Sequence, residues 1–116
     1  MLRDLRLYLT NIQNSIAKIN AYIEGIDTAE AFYQDSKTFD AVVMNLQLIG
    51  ESVKYIPSDM RSEYPQVPWR SIAGLRDIIS HTYDLLEEEI IWDVVRNELF
   101  LLHEATNSLL QKLSGS

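Results

Sequence analysis

The stretch LRLYLTNIQNSIAKINAYIEGID, Leu5 to Asp27, decides the fold. Its apolar residues Leu5, Leu9, Ile12, Ile16, Ile19, Ile23 and Ile26 are spaced alternately four and three apart. That rhythm follows the α-helical repeat and lays one continuous apolar stripe along a long helix. Gly25 and Asp27 mark where the helix ends. The stripe can face an intramolecular core, or it can feed a helix–helix dimer. The same rhythm recurs at Phe39, Val42, Leu46, Ile49, Val53 and Ile56. There Asp35 or Ser36 can cap the start and Pro57 stops the helix. A last long helix is marked by Ile91, Val95, Leu102, Ala105, Leu109 and Leu113, with Glu87, Glu88 and Glu89 in its first turn, where the helix dipole favours negative charge.

Between the second and last helices, Pro57, Pro65 and Pro68 divide the chain into a short piece near Ser58–Tyr64 and a helix that starts near Pro68 and runs to about Tyr83. No segment alternates with period two, so no sheet is expected. The pattern predicts an all-α fold, an antiparallel bundle of four to five helices with short connections. At 116 residues and 47% hydrophobic, the chain suits one domain, 1–116, with a real core.

Composition narrows the chemistry. There is no cysteine. Disulfides, thiolate metal sites and cysteine nucleophiles are thereby excluded. No apolar run approaches the ~20 residues that span a bilayer, and the N-terminus does not read as a signal peptide. A cytoplasmic protein is expected, with no membrane partner. The net charge of −7 argues against a nucleic-acid coat protein, whose affinity would come from Lys and Arg on phosphates. It leaves room for an enzyme with one local basic site.

The residues with chemistry lie in the helix from Trp69 to Tyr83. On a regular helix, at about 100° per residue, Trp69, Ile72, Ala73, Ile79 and Tyr83 share a face, and Arg76 falls in its middle. A guanidinium on an apolar face needs a partner, a cleft or an interface. Asp77 and His81 are four apart and can touch, which would orient the imidazole and favour its protonated form. His81 is turned well away from Arg76, whereas Tyr83 is nearly aligned with it. One regular helix therefore does not assemble the three. Each residue alone also has a plain structural reading: His81 as a helix-end group, Arg76 as half of a buried ion pair, Tyr83 as core. His103, in the last helix, reads as structural. Two separated histidines make no metal site.

The string Arg76-x4-His81-x-Tyr83 resembles the RX4HXY motif of the HepT-like toxins of the HEPN superfamily. Pro68-Trp69-Arg70-Ser71-Ile72-Ala73-Gly74-Leu75-Arg76 looks like that family's entry to the motif helix, and Asn45 to Glu51 resembles its N-x4-GE signature. Relatives often carry Asn where this chain has Asp77. The resemblance implies a homodimeric HEPN-type bundle. It also implies a metal-independent endoribonuclease, with no cofactor, that cuts single-stranded RNA by 2′-OH attack and leaves a 2′,3′-cyclic phosphate. His81 would move the proton and Arg76 would hold the phosphate. It further implies a type VII toxin–antitoxin pair, in which an MntA-type nucleotidyltransferase antitoxin places AMP on Tyr83. Asn45, Glu51 and Asp77 are supporting residues; Glu51 can pair with Arg76 or stand as a solvated helix residue. Gly50 reads as a point of close helix approach. Two other classes stay open: a non-catalytic HEPN dimer that binds a nucleotidyltransferase or a nucleotide, and a purely structural bundle.

Overall fold

The computed structural model describes residues 2–75 and 85–115, with side chains for residues 4–75 and 89–115. The motif residues Arg76, Asp77, His81 and Tyr83 therefore lie outside the described residues. Among the described residues the fold is all helix. It comprises α1 (Leu2–Tyr22), α2 (Ala29–Gln34), α3 (Ser36–Val53), α4 (Ser58–Arg61), α5 (Trp69–Ala73), α6 (Leu85–Asp93), a π-helical turn (Val94–Glu98) and α7 (Leu99–Gly115). None of these helices is long and apolar enough to cross a membrane.

Helix α1 is the spine, packed against both α3 and α7. Its stripe is consumed inside the fold: Leu9, Ile12 and Ile19 are fully buried, and Leu5, Ile16 and Ile23 nearly so. The apolar residues of α3 and α7 meet it in one core cluster. Two contacts fix the directions. Tyr8 near the start of α1 stacks on Tyr55, just past the end of α3, with ring centroids 4.3 Å apart. Arg6 donates to the Leu113 carbonyl at the end of α7 at 3.2 Å. Both neighbours thus run antiparallel to α1.

The ends follow side-chain chemistry. Asp35 accepts from the Thr38 amide at 3.2 Å and caps α3, satisfying one of the donors a helix start leaves open. Gly25 turns the chain after α1 at φ +87°, a conformation that costs glycine little.

Two features depart from the sequence reading. Helix α2 was not anticipated. Six residues are too few for a periodic signal, yet Thr28 caps it by accepting from the Ala31 amide. Its Phe32 is fully buried against Phe39 and Trp92, plugging the space between α3 and α6. The C-terminal helix, expected to be regular, contains a π turn in which the Leu99 amide bonds to the Val94 carbonyl. Asn97 donates to Asp93 at 2.6 Å across this turn, and Arg96 lies over the Trp92 ring.

The π turn also holds a half-buried acid. One carboxylate oxygen of Glu98 is buried without a hydrogen-bond partner among the described residues. Burial first, and the nearby Asp93 charge second, push its pKa above the ordinary value. Between the ordinary and the raised value the folded chain keeps a proton that the unfolded chain loses, so stability falls as pH rises through that window. Glu98→Gln is expected to raise the unfolding midpoint at neutral pH. The gain should shrink toward zero as pH falls to the ordinary carboxyl range near 4.5. Thermal melts of both proteins across pH check this; a gain that does not vary with pH would rule the titration out.

Candidate active site

The entry to the motif segment is built by the chain around Pro57 to Leu75. Helix α5 begins after Pro68, whose fixed φ suits a helix start. Ile72 and Leu75 are fully buried. Trp69 is half-buried, and its indole Nε1 donates to the Tyr64 carbonyl at 3.0 Å. Beyond the Tyr64 ring, Lys112 of α7 pairs with Glu63 at 2.7 Å and sits over the ring itself.

Helix α5 rests on α3 at Gly50. A Cβ at this position would stand 3.1 Å from the Ile72 carbonyl oxygen and 3.7 Å from that of Ala73. Any side chain here would press on the Ile72 carbonyl, which would have to give way before the two backbones could stay this close. This explains a glycine in mid-helix that costs about 1 kcal/mol in propensity relative to Ala.

The helix expected from Trp69 to Tyr83 is interrupted at Gly74. Gly74 adopts φ −88°, ψ 6°, outside the helical well, and its amide bonds back to the Arg70 carbonyl. Leu75 is helical again. Arg76, Ile79 and Tyr83, expected on the same face, lie outside the described residues. The cause of the interruption is local: α5 ends after five residues, and Gly74 supplies little helix propensity with which to continue it.

Of the supporting residues, Asn45 is buried in α3, and its amide nitrogen donates to the Ala41 carbonyl at 2.9 Å. Glu51 is exposed, 3.4 Å from Lys54; its expected partner, Arg76, falls outside the described residues. His103 is exposed and lines a shallow cavity of about 250 Å³ with Asn20, Arg96 and Phe100. Among the described residues no three His, Asp or Glu side chains gather as a metal site.

Sequence reasoning passed over two arginines beside α5. Ser58, Arg61, Ser62, Pro65, Trp69, Arg70 and Ala73 line an open groove of about 500 Å³. Arg61 is half-buried, and its Nε is inaccessible and without a hydrogen-bond partner among the described residues. Arg70 is exposed. Arg70 had been read as part of a string rather than as a charge, and Arg61 sits in no periodic pattern.

A family model described as ribonuclease HepT-like matches residues 12–109 of this chain. The chain belongs to the HepT-like ribonuclease family. The matched span takes in α3, α5 and the whole RX4HXY string, and with HepT-like membership goes the enzyme class, an endoribonuclease. A relative from Methanocaldococcus jannaschii, "Putative RNase MJ0127", is 40% identical over 84% of this chain and 79% of its own length. "Putative RNase TTE0752" of Caldanaerobacter subterraneus subsp. tengcongensis is 35% identical over 92% of this chain and 95% of its own. "Probable ribonuclease HepT" of Thermococcus cleftensis is 34% identical over 85% of this chain and 89% of its own. No solved structure matches the chain.

Because α5 of this HepT-like chain is seated through Gly50, substituting that residue tests the seating. Gly50→Val places branched carbons against the Ile72 carbonyl and is expected to cost about 1–3 kcal/mol, read as a lower urea midpoint at unchanged slope.

Proposed function

We propose that this HepT-like chain is the metal-independent endoribonuclease toxin of a type VII toxin–antitoxin pair, one domain over 1–116, acting as a homodimer in the cytoplasm. The observation that carries the reading is the complete Arg76-x4-His81-x-Tyr83 string within the span matched by the family.

In this reading a ribose 2′-OH attacks the adjacent phosphorus. The bond to the 5′-oxygen of the next nucleotide breaks, leaving a 2′,3′-cyclic phosphate and a free 5′-OH. His81 handles the proton that leaves the 2′-OH or reaches the departing oxygen. The planar fork of Arg76 meets the charge that builds on the phosphoryl oxygens. Asp77 steadies the imidazole, while Asn45 and Glu51 support the motif from α3. An MntA-type nucleotidyltransferase transfers AMP from ATP to Tyr83; the added charge and bulk then occupy the phosphate site beside Arg76.

The homodimer is supported by an exposed apolar set, Met44, Leu48 and Tyr55 from the α3 side and Leu7 from α1. A second copy could cover it and also supply the group that one motif segment leaves missing.

The test is cleavage of a single-stranded RNA by purified protein in the presence of a chelator. Wild type should yield ends carrying a 2′,3′-cyclic phosphate. Arg76→Ala and His81→Ala should lose at least ~100-fold in rate. Loss of wild-type cleavage on chelation would overturn the metal-independent reading. Co-expression with the nucleotidyltransferase should add the mass of AMP to wild type and not to Tyr83→Phe.

The net charge of −7 favours a second reading, a HEPN dimer that binds a nucleotidyltransferase or a nucleotide without cleaving. Growth arrest by the wild-type protein, relieved by His81→Ala, would exclude it.

A further inference from the structure

The charged lining of the groove beside α5 is opposite in sign to the body of the protein. The chain carries a net −7, yet among the described residues the charged ones lining the groove are Arg61 and Arg70. Two hydroxyl residues, Ser58 and Ser62, lie on the same wall. The Ser62 hydroxyl donates its one hydrogen to the Asp59 carbonyl at 2.8 Å, so toward a ligand it can accept, as from a ribose 2′-OH, but cannot donate to a phosphate. The Nε of Arg61 is inaccessible and without a hydrogen-bond partner among the described residues, so a ligand in the groove would meet the terminal nitrogens of that guanidinium. Trp69 adds an aromatic ring whose single polar atom is already committed to the Tyr64 carbonyl. What it can offer a ligand is its π surface.

Two guanidinium groups for a phosphate, a hydroxyl that can accept from a ribose 2′-OH and an aromatic ring for a base together suit a single-stranded phosphodiester. The volume, about 500 Å³, lies within the roughly 300–1,000 Å³ typical of ligand clefts. Ala73 lines the groove at the end of α5, and Arg76 follows three residues later in the chain. We infer that this groove is a binding subsite for single-stranded RNA, in which Arg61 and Arg70 hold a phosphate flanking the cleaved bond and Trp69 stacks on the neighbouring base. The inference rests on the ribonuclease reading above and adds to it where the strand is held outside the motif.

The experiment measures binding separately from cleavage. A fluorescein-labelled single-stranded decaribonucleotide is titrated with full-length His81→Ala protein, followed by anisotropy at several salt concentrations. Arg61→Gln and Arg70→Gln, each made in that background, are expected to weaken binding roughly tenfold. Each should also reduce the slope of log K against log salt by about 0.7, the loss of one single-strand phosphate contact. Lys18→Gln, the same charge change at an exposed residue outside the groove, serves as control and should do neither. In a Trp92→Phe background, which leaves Trp69 as the only indole, RNA should quench the remaining emission.

Circular dichroism that matches the parent confirms that each variant folds, and exposed Arg70 carries the test if Arg61→Gln does not. Unchanged affinity and slope in Arg70→Gln overturn the subsite. So does loss of nucleotidyltransferase capture with RNA binding intact, which would make the groove a protein-docking surface. Wild-type cleavage alongside normal binding by the variants removes the subsite alone. Arginine-dependent binding by a chain that never cleaves keeps the subsite and removes the ribonuclease reading.

Discussion

The approach of two backbones at Gly50 governs the functional half of this molecule. Helix α3 is held in the core by Leu46, Ile49 and Val53. At Gly50 it presents bare backbone to the carbonyls of Ile72 and Ala73. That contact sets the depth at which α5 sits, and with it the positions of Trp69, Arg70 and the turn at Gly74. Protein interiors are packed as tightly as organic crystals, so a seat of this kind has almost no slack. Everything that leads into the motif hangs from it.

The rest of the scaffold exists to keep α3 in place. Helix α1 spends its entire stripe inside the chain, on α3 along one side and α7 along the other. The antiparallel order follows from short connections between long helices. Toward the other side, Trp69, Tyr64, Glu63 and Lys112 form a relay of contacts from α5 to the last turns of α7. The groove arginines thus stand on a wall braced from both α3 and α7.

The long helices were legible because their information is repetitive. Seven apolar residues at alternating spacings of four and three admit one reading, and the buried residues of α1 match it at Leu5, Leu9, Ile12, Ile16, Ile19 and Ile23. Gly50 was legible too, since a costly residue in mid-helix implies a packing reason. What the sequence hid was short or non-local. Helix α2 spans too few residues to show a period. Helix α5 stops at Ala73 although the apolar pattern runs on, because Gly74 carries little helix propensity. Arg61 and Arg70 are nine residues apart, on α4 and α5, and only the folded chain brings both to one groove. At the candidate site, family resemblance supplied the residue identities, while geometry supplied the seat at Gly50 and the groove.

The π turn at Val94–Glu98 has a consequence for how chain length can vary in this fold. A π turn carries the i→i+5 bonding that a single extra residue produces within an α-helix. Here Ile91 before it, Val94 and Val95 within it, and Leu99, Leu102 and Ala105 after it all reach the same core. The extra residue is absorbed locally, and the buried faces on either side stay in phase. A chain one residue shorter in this stretch could present the same faces through an uninterrupted α-helix. The C-terminal helix can therefore accept or shed an amino acid at this point while α1 goes on meeting the same apolar surface.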